Sequence, residues 1–176
     1  MKNSTHSLVQ KLALTGLLTA VAVVGSLLSF PMFGSKCAPV QHMVNILAAV
    51  LLGPGWSVGI AFCASLLRNL MGLGTLMAFP GSILGALCCG FMYKFTRKLF
   101  ITCTAEALGT GFLGGLCAYP VAKLLMGVQP ASMFVYIIPF LVSTVVGSIL
   151  AFLMLKILEK NGALKMMQAK MGCENH

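Results

Sequence analysis

Apolar residues run through most of this chain in long stretches, and glycine, proline and a few charges cut them into six helical segments. The first runs from Leu12 to Phe30 and stops before Pro31. A loop, Pro31 to Ala38, holds Phe33, Gly34, Lys36 and Cys37. The second helix opens at Pro39, a residue suited to a helix's first turn, and ends at Leu52. Tight turns at Gly53-Pro54-Gly55 and Gly72-Leu73-Gly74-Thr75 bracket a third helix, Trp56 to Met71. The fourth covers Leu76 to Phe95 and the fifth Ile101 to Met126, with a kink expected at Pro120. After the loop Gly127-Val128-Gln129-Pro130, the sixth runs from Ser132 to Leu158. The second segment is short for a membrane crossing, which takes about 20 residues. It is therefore expected to be shielded by its neighbours or to cross only in part.

Polar positions are rare in this pattern, so each one carries information. Gln41, His42 and Asn45 fall at i, i+1 and i+4 of the second helix and share one face. Facing lipid, that face would cost several kcal/mol unpaired, so it must look into protein or a polar cavity. The turn at Gly53-Pro54-Gly55 makes helices 2 and 3 an antiparallel pair. His42 precedes that turn, and Arg68 follows it, by a similar number of residues, which puts both roughly 17–18 Å above it. The start of helix 4, with Phe79 and Ser82, returns at the same level. Gln41, His42, Asn45, Arg68, Asn69 and Ser82 thus converge on one outward-facing mouth, and ionisable residues inside a membrane point to a functional site. The plainer alternative has Arg68 reaching for lipid headgroups while the amides tie helices together. Glu106 is placed near the inner end of helix 5, where Arg97 or Lys98 would pair with it, leaving Arg68 no acidic partner.

Composition agrees with the pattern. Hydrophobic residues make up 59% of the 176, against 9% charged, where soluble domains carry about a quarter as charges. Mean hydropathy is +0.97. The reading is an all-α integral membrane protein with no separate soluble domain. The net charge of +9 comes from 12 basic and 3 acidic residues, and the bases flank apolar segments rather than lining a groove for nucleic acid. With the N-terminus inside, Lys2, Lys11, Lys94, Arg97, Lys98, Lys156, Lys160, Lys165 and Lys170 fall on inner segments, and only Lys36, Arg68 and Lys123 at outer ends. That bias predicts six spans with both termini cytoplasmic. The expected organisation is an N-terminal segment 1–11, a membrane domain 12–158 and a basic tail 159–176. The run after Lys11 exceeds the about 7–15 residues of a signal peptide's core, and no A-x-A site follows, so it is read as the first membrane helix.

Several chemistries are excluded. Cys37, Cys63, Cys88, Cys89, Cys103, Cys117 and Cys173 contain no C-x-x-C pair and mostly sit in apolar segments, so neither disulfides nor a metal site are expected. Gly109-Thr110-Gly111-Phe112-Leu113-Gly114 matches G-x-G-x-x-G but lies inside an apolar helix with no preceding strand, so it is not a dinucleotide site. Gly111-x-x-x-Gly115, Gly81-x-x-x-Gly85 and Gly147-x-x-x-Ala151 are spacings for close helix packing. Gly16-x-x-x-Ala20 in helix 1 suits either internal packing or docking of another membrane subunit. With no P-loop, and with Glu159 and Glu174 in or near the tail, nucleotide hydrolysis and paired-carboxylate catalysis are not expected. The chain is not read as an enzyme, and no cofactor is expected.

These residues also carry a resemblance. Ala38-Pro39-Val40-Gln41-His42 with Asn45, Leu52-Gly53-Pro54, Leu67-Arg68-Asn69, Gly72, Gly74-Thr75 and Ala78-Phe79-Pro80-Gly81-Ser82 resemble the ThiW family. That family belongs to the substrate-binding (S) components of energy-coupling-factor vitamin transporters. The likeness covers residues 10 to 160 and is most specific from 38 to 86. It implies a six-helix bundle in a bacterial cell membrane, with a pocket opening outward under the loop between helices 1 and 2. It implies as partners a membrane coupling subunit and a pair of ABC-type ATPases. The small-residue surface that meets the coupling subunit in that superfamily is usually built of alanines, and Gly16 and Ala20 stand there in this chain.

The implied ligand is hydroxyethylthiazole, a thiamine precursor with a flat ring, one ring nitrogen and one hydroxyl. Such a ligand needs an apolar or aromatic slot and a few placed polar groups. Phe79 and Tyr119 would stack on the ring. Gln41, His42, Asn45 or Asn69 would bond its polar atoms, with Ser82 at the same mouth, while Arg68 orients the amides or closes the site. Rival readings are an S component for thiamine or another small vitamin, a small channel or structural membrane protein, and an integral membrane enzyme.

Overall fold

The structure, a computed structural model, describes residues 2–32 and 35–171. Phe33 and Gly34 of the expected loop, and Cys173 and Glu174 at the C-terminal end, lie outside the described residues. The first helix, α1 (Lys2–Gly25), begins ten residues ahead of the apolar run, because Lys2 to Lys11 contains no helix breaker, and ends earlier than expected. Gly25, its last residue, marks a close approach: a Cβ there would run into the side chain of Val40. A 3-10 turn, Ser26–Leu28, follows.

The expected loop is instead an antiparallel hairpin. β1 (Phe30–Met32) pairs with β2 (Ser35–Cys37), Phe30 opposite Cys37 and Met32 opposite Ser35. Pro31 is tolerated because a two-stranded ribbon is all edge. The hairpin is tied down along β2 and just after it. Ala38 N–H donates to Ser143 Oγ (2.8 Å), the Cys37 thiol to Pro139 O (3.2 Å), and Lys36 Nζ to Leu73 O (3.1 Å).

The remaining helices are α2 (Pro39–Leu52), α3 (Pro54–Leu70), α4 (Ala78–Thr96), α5 (Leu99–Leu125), α6 (Ile137–Lys160) and α7 (Ala163–Lys170). Four helical stretches are long and apolar enough to cross a membrane: His6–Leu28 in α1 and its following turn, α4, α5 and α6. The short α2 does not face lipid. It packs against α1, α3, α4, α5, α6 and α7 and is the axis of the bundle, with twelve of its fourteen residues buried. That is how a 14-residue helix with three polar side chains is accommodated: its neighbours, rather than lipid, surround it.

Small residues let those neighbours close in, as the spacings predicted. A Cβ on Gly114 would meet Gly81 Cα at 2.6 Å, one on Gly115 would meet Ile137 Cα at 2.9 Å, and one on Gly147 would strike the Pro39 carbonyl and His42 Cβ. α5 continues helically through Pro120; its departure from α geometry lies earlier, in a π-helical stretch Ala107–Gly114. Part of the basic segment after Lys160 packs on the bundle. Leu164 of α7 and Met171 just beyond it are buried in the core, and Gln168 Nε2 donates to Val50 O and Tyr93 Oη, each at 2.9 Å.

Candidate ligand-binding site

α2 presents its polar face to a cavity lined by residues of β2, α2, α3, α4, α5 and α6, among them Lys36, Gln41, His42, Arg68, Ser82 and Phe140. The cavity is about 30 Å³ in volume, well below the about 300–1,000 Å³ of small-molecule sites, so its own side chains nearly fill it. The equal-height argument holds: Arg68, brought back by the turn at Gly53, stands over Gln41, and its Nη1 donates to Gln41 Oε1 at 3.3 Å. Arg68 is 2% exposed. No carboxylate pairs with it among the described residues, and its Nε has no partner.

From Arg68 a directed chain of hydrogen bonds runs inward. Gln41 Nε2 donates to Asn45 Oδ1 (3.2 Å), and Asn45 Nδ2 donates to Glu106 Oε1 (3.0 Å) and to Ser82 O (3.2 Å). His42 Nδ1 lies 3.1 Å from the same Glu106 oxygen, and Thr110 Oγ1 donates to it at 3.1 Å. A guanidinium at one end and a carboxylate at the other thus orient the two amides between them. Each amide has its oxygen toward the cation side and its nitrogen toward the anion side.

Glu106 is therefore not at the inner interface with Arg97 or Lys98. It is fully buried in the centre of the bundle, facing His42 and Asn45. The signal was present in the chain. Counting at 1.5 Å per residue, Asn45 stands about 12 Å above the turn at Gly53, and Glu106 about 12 Å above Lys98. Gly85 makes room for it: a Cβ there would come within 2.7 and 2.8 Å of the two carboxylate oxygens. The π-helical stretch begins immediately after Glu106 and carries Thr110, and π-helical turns often mark functional sites.

The other expected site residues divide. Ser82 lines the cavity; its Oγ is 2.7 Å from Ser65 Oγ and donates to Ala78 O. Asn45 lies beneath the cavity rather than on its wall, fully buried. Asn69 braces the α3–α4 turn, its Nδ2 donating to Ser65 O (2.8 Å) and Thr75 O (3.1 Å). Phe79 packs edge-to-face on Phe62, and Tyr119 lies half-buried beneath Lys123 Nζ. None of these three lines the cavity. Its aromatic wall is Phe140 of α6, whose ring rests against Gly81. Phe140 has no polar neighbours in sequence, so nothing set it apart from the other phenylalanines. Gly16 and Ala20 are exposed on the outer face of α1, and a Cβ on Gly16 would touch nothing within 4 Å.

No group of three or more metal-ligating side chains occurs among the described residues. The cavity's means are hydrogen bonding, one buried cation and an aromatic wall.

The model of the thiamine-precursor transporter protein (ThiW) family matches residues 12–161. No curated protein and no solved structure matches the chain. The match spans most of the chain, and the chain belongs to the ThiW family.

Proposed function

We propose that this ThiW-family membrane protein is the substrate-binding component of an energy-coupling-factor importer, and that the cavity at α2 captures hydroxyethylthiazole. Family membership makes it a component of thiamine-precursor transport, a non-enzymatic role. The observation that carries the finer reading is the chain from Arg68 through Gln41 and Asn45 to Glu106 and His42, buried beside a small cavity with an aromatic wall. Arg68 Nε is buried without a partner, which costs stability, and a small polar heterocycle would supply one. Phe140 offers a face for the ring, and Arg68, His42 and Gln41 offer polar atoms to the ring nitrogen and hydroxyl.

In this reading six helices cross the membrane with both termini cytoplasmic, the cavity opens outward, and the hairpin Phe30–Cys37 covers its mouth. A coupling subunit meets α1 at Gly16 and Ala20, and two ABC-type ATPases drive the loaded subunit's reorientation. The test is uptake of labelled hydroxyethylthiazole by bacterial cells that lack the gene, express it alone, or express it with an energy-coupling module. Accumulation that needs both chain and active ATPases supports the reading. Uptake that ignores the ATPases would return the chain to the class of channels.

A further inference from the structure

We propose that Glu106 is a positioning residue that fixes the tautomer of His42, so that the cavity offers a ligand one neutral acceptor beside one cationic donor and thereby selects a free hydroxyl. The inference rests on the transporter reading for its ligand, but its structural half stands alone.

Glu106 Oε1 accepts from Asn45 Nδ2 at 3.0 Å and from Thr110 Oγ1 at 3.1 Å, so the imidazole nitrogen facing the same oxygen at 3.1 Å, Nδ1, carries the proton. The other carboxyl oxygen, Oε2, is buried without a hydrogen-bond partner. Charge balance decides the other nitrogen. The buried, formally charged side chains among the described residues are Arg68 and Glu106, one of each sign, joined through Gln41 and Asn45. A second proton on the imidazole would leave a net positive charge buried among them, which is costly. The neutral ring with Nδ1–H leaves Nε2 a bare lone pair. The hydrogen bond of the ring runs through Nδ1, and His42 lines the cavity. Across the same space stands Arg68, with one of its five N–H groups bonded to Gln41.

The complement of this pair is a neutral heterocycle with one hydrogen-bond acceptor, for Arg68, and one O–H donor, for His42 Nε2. Capping the hydroxyl as a methyl ether sets two acceptors against each other. Removing it, as in the 5-ethyl compound, leaves Nε2 unpaired without adding bulk. Each change is expected to weaken binding about ten- to a hundredfold.

The test has two arms. In one, the full chain in detergent is labelled with 15N-histidine, and the ring nitrogens of His42 are assigned by loss of the signal in His42→Gln. The expected spectrum is that of a neutral ring protonated at Nδ1; an Nε2–H ring or an imidazolium overturns the proposal. In the other, hydroxyethylthiazole, its methyl ether and the 5-ethyl analogue are titrated into wild type, Glu106→Gln and Phe79→Ala. Wild type and Phe79→Ala, whose ring packs on Phe62 away from the cavity, should prefer the alcohol over the ether. Glu106→Gln, whose amide can donate to Nδ1 and so move the proton to Nε2, should lose that preference and show the altered ring in the spectrum. Equal wild-type affinity for alcohol and ether overturns the proposal even if Glu106→Gln fails to fold. Failure of folded wild type to bind any thiazole would overturn the transporter reading instead, while the spectrum still decides the tautomer.

Discussion

Asn45 is the joint of the buried polar chain, and Asn45→Ala shows how much that chain matters. The substitution removes three hydrogen bonds: to Glu106 Oε1 at 3.0 Å, to Ser82 O at 3.2 Å and from Gln41 Nε2 at 3.2 Å. The bond to a charged acceptor accounts for about 1.5–3 kcal/mol, and the other two, between neutral groups, for about 1 kcal/mol each. The site is fully buried, so water does not replace the lost partners. A loss of roughly 3–5 kcal/mol follows, which at about 2–4 °C per kcal/mol lowers the melting temperature by about 6–20 °C. Much of that cost comes from leaving a carboxylate poorly compensated. It should therefore shrink when the charge is absent. In a double-mutant cycle with Glu106→Gln, measured by thermal unfolding in one detergent, the two substitutions should be non-additive by about 1–3 kcal/mol. Additivity within about 0.5 kcal/mol would refute the idea that Asn45 acts on Glu106. So would a single-variant loss below about 1 kcal/mol.

Other outcomes follow from the same geometry. Phe140→Ala should abolish or strongly weaken thiazole binding, whereas Phe79→Ala, whose ring packs on Phe62 away from the cavity, should leave affinity within about twofold; isothermal titration separates the two. Gly85→Ala places a methyl group against Thr110 Oγ1 and both Glu106 oxygens, so it should lower stability by about 1–3 kcal/mol and displace the carboxylate from His42. Thermal unfolding and the histidine spectrum read those two effects. Burial in the hairpin raises the thiol pKa of Cys37, so less thiolate is present at neutral pH than on a free cysteine, and its alkylation should be slow. In a variant retaining only Cys37, the alkylation rate should climb with pH and still be rising above the ordinary thiol range; rapid alkylation at neutral pH would show that the hairpin does not seal it.

Much of the architecture was legible because glycine and proline punctuate it. Pro39 and Gly53 set the ends of α2, and the helix heights brought Arg68 to Gln41 without any side-chain information. The small-residue spacings of α4, α5 and α6 marked faces that do approach closely. What sequence missed depended on contacts between distant segments. Glu106 looked like an interfacial charge because basic residues lie nearby in the chain, yet its partners come from α2, across the bundle. Phe79 was favoured because it opens helix 4 beside Ser82, but its ring packs edge-to-face on Phe62 of α3, and it is Ser82 that lines the cavity. The hairpin was hidden because a strand of three residues leaves no periodicity to read.

Binding to the purified chain bears most directly on the central claim. Hydroxyethylthiazole, thiamine and hydroxymethylpyrimidine are titrated into folded wild type and Arg68→Ala. The account predicts binding selective for the thiazole, lost when Arg68 is removed. Tight thiamine binding would keep the transporter and overturn its substrate, and thiazole binding indifferent to Arg68 would contradict the site itself.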